Sequence, residues 1–90
     1  MKFIVTWSIP KASVLTAQAR FLQTGGGPPA GVKMIGRWHG MSGGGVLIAE
    51  TNDAKALYTW IEQWNDMLDF NVTPCVEDAE AGEVLAAAKR

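Results

Sequence analysis

The sequence predicts an α+β domain of ferredoxin-like order, βαββαβ, with a four-stranded antiparallel sheet, two long helices on one face and an extra C-terminal helix. Three observations predict it. Four short runs rich in β-branched and aromatic residues alternate with period two, as strands do. The gaps between runs one and two, and between three and four, carry apolar residues at helical spacing. The middle two runs are joined by a glycine-rich stretch of hairpin length. Right-handed crossovers leave few other topologies, and with no repeat or linker in sight residues 1–90 read as a single domain.

The first strand, Lys2 to Ser8, puts Phe3, Val5 and Trp7 on one side and Lys2, Ile4, Thr6 and Ser8 on the other. Pro10 cannot donate to a ladder; it ends that strand and opens a helix. From Lys11 to Thr24 the residues Val14, Leu15, Ala17, Phe21 and Leu22 form one stripe, and GGGPPAG at residues 25–31 stops it. The second strand runs from Val32 to His39, Gly40 to Gly45 makes the hairpin connection, and Val46 to Thr51 returns. Asn52 or Asp53 caps the second helix, whose inner face is Ala54, Leu57, Tyr58, Ile61 and Trp64, with Trp60 at its margin. Leu68 to Val76 alternates as the fourth strand, and Asp78 caps a short last helix with a weak stripe of Ala81, Val84, Leu85 and Ala88.

Two helices cover only one face of such a sheet. Unbroken alternation sends Phe3, Val5, Trp7, Met34, Trp38, Phe70, Val72 and Pro74 beneath them, with Gly36 allowing close approach of a helix or a tryptophan. The other face then carries Ile4, Thr6, Lys33, Ile35, Arg37, His39, Asn71, Thr73 and Cys75. Strand three adds either Leu47, Ala49 and Thr51 or Val46, Ile48 and Glu50, since the register across the glycine turn stays open. That mixture is more apolar than a water-facing sheet requires. A second copy laid face to face removes the difficulty, giving a homodimer, a dimeric α/β barrel with an apolar wall and a few polar groups.

Composition narrows the function classes. Eight basic and nine acidic residues leave a net charge of −1, which supplies no general attraction for nucleic acid or anionic lipid. The lone Cys75 excludes an internal disulfide and suits a reducing, cytoplasmic setting. No apolar run reaches the ~20 residues that span a bilayer, and the N-terminal run is too short for a signal peptide. Forty-eight per cent hydrophobic residues, four of them tryptophans, make a generous core for 90 residues, so part of it is available to a subunit interface.

MKFIVTWSIP, GVKMIGRWHG, the glycine turn with VLIAE, and DFNVTPCVED together resemble domain-of-unknown-function family thirty-three-oh-three, a family of small bacterial proteins. The GRWH stretch and the strand ending VTPCVED are the most specific parts. The resemblance implies a dimeric α/β barrel similar to the antibiotic-biosynthesis monooxygenase superfamily, and it implies no activity or catalytic residues.

Arg37 and His39 are the foremost candidate site residues, two positions apart on one strand. Histidine exchanges protons near neutral pH and suits general acid–base work; arginine holds carboxylates or developing oxyanions. Thr6, Ile35, Glu50, Thr73 and Cys75 complete a candidate ligand-binding set. Two readings stand side by side for the pair: fittings of a pocket, or side chains bonded across a dimer or to Glu50. Cys75 as a nucleophile is disfavoured, because no neighbour in sequence lowers a thiol pKa. Trp60 and Trp64, at helical spacing, read as core.

Several chemistries lack their residues. GGGPP and SGGG match neither the P-loop nor the dinucleotide fingerprint. A single histidine without paired cysteines or clustered carboxylates gives no metal site, and no cofactor is implied. GGGVLIAET has none of the aromatics of an RNA-recognition strand. The sequence therefore points to a small-molecule binder, with a cofactor-independent monooxygenase- or isomerase-like enzyme using His39 and Arg37, or a structural dimer without ligand, as alternatives.

Overall fold

The structure is a computed structural model, and residues 1–89 are described. The elements run β1 (Lys2–Ser8), a 3₁₀ turn (Lys11–Ser13), α1 (Val14–Thr24), β2 (Lys33–His39), β3 (Gly44–Glu50), α2 (Ala54–Glu62), β4 (Asp69–Cys75) and α3 (Asp78–Ala87). The strands form one sheet in the order β2-β3-β1-β4, with every neighbouring pair antiparallel. This is the ferredoxin-like α+β arrangement that the order of elements predicts.

Local chemistry sets the boundaries. Gly25 ends α1 in the left-handed region at φ 74°, its N–H donating to the Phe21 carbonyl, a helix stop that glycine adopts without strain. Asp53 caps α2 by accepting from the Ala56 N–H at 3.0 Å. Asn52 instead accepts from the N-terminal ammonium of Met1 at 2.9 Å. The buried Thr51 hydroxyl donates to the Gly31 carbonyl at 2.6 Å and accepts from the Asp53 N–H, tying the glycine–proline loop to the start of α2. The hairpin turn is tighter than the sequence suggests. Gly40 N–H donates to the Gly44 carbonyl at 2.7 Å, so β3 begins at Gly44 and not at Val46.

The core lies between the sheet and α2, where Val5, Val32, Leu47, Ala49, Leu57 and Trp60 are buried. A smaller cluster of Ala17, Met67 and Leu68 sits under α1. On α2 the inner stripe is Leu57, Trp60 and Ile61, continued by Trp64 in the turn just after the helix; Trp60 lies at its centre, and Tyr58 is turned out to solvent. On α1, Ala17 is buried and Phe21 half-buried, whereas Leu15 and Leu22 are exposed. The α3 helix buries none of its residues. It stretches the molecule to 50 × 29 × 18 Å and its radius of gyration to 15.2 Å, above the ~12 Å of a compact chain this long.

The largest departure from the sequence reading is in β2. Lys33 pairs with Glu50 and Met34 with Ala49, but Gly36, not Ile35, pairs with Ile48. Ile35 is the unpaired residue of a β-bulge, and one extra residue reverses the faces of everything after it. Arg37 then stands opposite Leu47 and His39 opposite Gly45, on the helix side; Trp38 stands opposite Val46 on the open side. The assignment of Arg37 and His39 to the open face, and of Trp38 to the helices, is thereby corrected. Strand three resolves with Val46, Ile48 and Glu50 on the open face and Leu47 and Ala49 beneath the helices.

Candidate functional site

The bulge delivers Arg37 and His39 into a cavity of about 370 Å³ between the sheet and helices α1 and α2. Its walls are aromatic and aliphatic: Trp7 and Phe70 from the sheet, Phe21 from α1, Trp60 and Ile61 from α2, and Trp64 and Leu68 just beyond it. Only Gln18, Arg37 and His39 line it with polar side chains, apart from the tryptophan N–H groups. None of the lining residues is acidic.

Arg37 and His39 each have identifiable neighbours. Arg37 donates from one terminal nitrogen to the Gly26 carbonyl at 2.7 Å and from the other to the Gly25 carbonyl at 3.0 Å. Its guanidinium carbon lies 5.0 Å from the centre of the Phe21 ring, a cation–π contact. Burial among these neutral groups pushes the Arg37 pKa below its ordinary value. The His39 ring packs against Phe21, with centroids 5.0 Å apart, and edge-on to Trp7 at 5.8 Å.

Glycines make the arrangement possible at two places. Gly26 has φ 55°, and a Cβ there would lie 3.2 Å from an Arg37 nitrogen, so backbone and guanidinium meet only because no side chain intervenes. The Trp7 indole lies over Gly45, where a Cβ would run into the ring and approach the Trp38 carbonyl to 2.6 Å. Outside the cavity lining, Arg20 on α1 makes two bonds to Asp66, at 3.0 and 2.9 Å, and one to the Gln63 carbonyl at 2.8 Å. It also lies 5.5 Å from the Trp64 ring centre, fastening α1 to the segment that follows α2.

The other sequence candidates are elsewhere. Thr6, Glu50, Thr73 and Cys75 share the open face, with Thr73 opposite Ile4, Cys75 opposite Lys2, and Glu50 4.0 Å from the Lys2 ammonium. Ile35 is the exposed bulge residue on β2. Glu50 is therefore separated from His39 and Arg37 by the sheet, and neither orients nor neutralises them. Spacing alone reads the aromatics that wall the cavity as core. Helical periodicity gives a core residue and a cavity wall the same signature, so it could not separate them.

Among the described residues, no three His, Cys, Asp or Glu side chains are grouped to hold a metal ion, and no helix is long and apolar enough to cross a membrane. Fold and site together define a ferredoxin-like α+β domain with an aromatic cavity between sheet and helices, open to solvent at an exposed His39 and lined also by one half-buried arginine. The family described as Domain of unknown function (DUF3303) matches residues 1–89, and the chain belongs to that family. No curated protein and no solved structure matches it.

Proposed function

We propose that this protein binds a small, partly apolar molecule in the cavity between sheet and helices, as a cytoplasmic homodimer. The observation that carries the reading is the reversal in β2. A bulge turns the chain's only histidine, together with an arginine, toward aromatic walls around about 370 Å³ of space. A mostly apolar pocket with a few convergent polar groups is the usual make-up of a small-molecule site. The dimer reading rests on the opposite face, where Ile4, Ile35 and Trp38 are exposed beside Val46 and Ile48. An apolar sheet face of this kind is suited to a second copy closing an α/β barrel.

Native mass spectrometry of the protein purified from its own cells tests both parts. The expected result is a dimer carrying a retained small mass, which Ala17→Leu removes by filling the cavity and which Trp38→Glu leaves bound to a monomer. A bare dimer that takes up no small molecule would reduce the protein to a structural role. A wild-type monomer would end the barrel and leave the cavity as the reading to test.

A second reading is favoured by the His39 ring lining that same cavity. It is a cofactor-independent monooxygenase- or isomerase-like reaction, with His39 moving a proton and Arg37 holding a developing oxyanion. It expects His39→Ala to abolish turnover of a retained substrate while leaving binding within about threefold. Unchanged turnover would remove His39 from the chemistry.

A further inference from the structure

We infer that the cavity selects an aromatic carboxylate, its ring among Trp7, Phe21, Trp60 and Trp64 and its carboxylate at Arg37. This deepens the binding proposal and rests on the cavity being a binding site. The argument starts from charge. Arg37 is partly buried, and the ion pairs among the described residues are Lys2 with Glu50 and Glu77, and Arg20 with Asp66. Arg37 thus has no carboxylate partner among those residues, and no acidic side chain lines the cavity. Its two bonds go to neutral carbonyls, which orient the guanidinium without neutralising it.

A guanidinium carries five N–H donors, so those two bonds leave three unspent. A partly desolvated cation with free donors favours an anion, and its planar fork matches a carboxylate. Burial already costs this cation, as the lowered Arg37 pKa indicates, and a bound anion offsets that cost. A cationic ligand meets repulsion, and a neutral one leaves the charge uncompensated. The walls set the rest of the ligand. Five phenylalanine and tryptophan rings and several aliphatic side chains favour a flat apolar body, and the volume is near the lower end of the ~300–1,000 Å³ range of ligand pockets, so the ligand is small.

Three naphthalenes of nearly equal size test the inference on the full-length protein by isothermal titration calorimetry at pH 7. They are 2-naphthoate, 2-naphthamide and 2-naphthylmethylammonium. Naphthoate should bind roughly 10- to 100-fold more tightly than the amide, and the ammonium more weakly than either. Arg37→Gln should bring naphthoate to within about threefold of the amide while amide affinity holds, and Arg37→Lys should keep part of the preference. Equal affinity of naphthoate and naphthamide for the wild-type protein would overturn the anion inference and leave the cavity as an apolar site. Failure of all three to bind would overturn the site reading, and this inference with it.

Discussion

The two faces of the sheet have similar alternation in sequence and opposite fates in the structure. Beneath the helices, Val5, Leu47 and Ala49 are buried, and the cavity opens beside them around Arg37 and His39. On the open face, Thr6, Thr73, Cys75 and Glu50 accompany exposed Ile4 and Trp38 with no helix above them. What separates the polar pair from the other candidates is one unpaired residue, Ile35. Chemistry that straight alternation would send to the open face is moved to the helix-covered one, because a sheet's side chains have a period of two.

The comparison is broken most strongly by removing a buried aromatic. Trp60→Ala empties the centre of the α2 stripe, where the side chain is 4% exposed, and should cost about 3–5 kcal/mol in urea unfolding. Trp38→Ala, at 60% exposure on the other face, should cost less than ~1 kcal/mol in the isolated subunit. Equal losses at the two tryptophans would contradict the assignment of faces.

Gly45→Ala comes next. The added methyl meets the Trp7 ring and the Trp38 carbonyl on the cavity side, so a loss of roughly 1–3 kcal/mol in the same assay is expected. Gly27→Ala serves as its control, since no atom lies within 4 Å of a Cβ built there, and the change should be near zero.

The smallest expected effect concerns the tie between α1 and the segment after α2. Hydrogen bonds from Arg20, and then its charge, hold the Asp66 carboxyl below the ordinary carboxylate range. A carboxyl whose folded pKa is depressed stabilises the fold above its unfolded pKa, and that contribution is lost as pH falls through the folded value. Asp66→Asn should therefore flatten the acid side of the stability profile and leave its shape near neutrality unchanged. The check is the urea midpoint measured from pH 7 down to pH 2. An acid limb as steep as the wild type's would show that the tie contributes nothing.

The fold was legible because its signals are local. Strand alternation, the helical stripes, the cap at Asp53 and the glycine stops each act within a few residues, and together they leave few topologies besides a ferredoxin-like sheet. The importance of Arg37 and His39 as a pair was legible too, since two groups two apart on a strand stay on one face whichever face that is. Which face was not legible. A bulge depends on how Met34 and Gly36 find Ala49 and Ile48 across the ladder, a non-local pairing with no mark in the strand's own sequence. Gly36 was the nearest sign. It does receive a tryptophan closely, but on the open side, where a Cβ would come within 2.6 Å of the Trp38 ring.

The direct test of this account is the environment of the single histidine, observed by nuclear magnetic resonance without ambiguity of assignment. Nuclear Overhauser contacts from the His39 ring protons should reach the rings of Phe21 and Trp7, whose centroids lie 5.0 and 5.8 Å away. Contacts to the Val46 side chain, on the open face of the adjacent strand, in their place would put His39 on the open face, contradict the bulge, and separate the polar pair from the cavity.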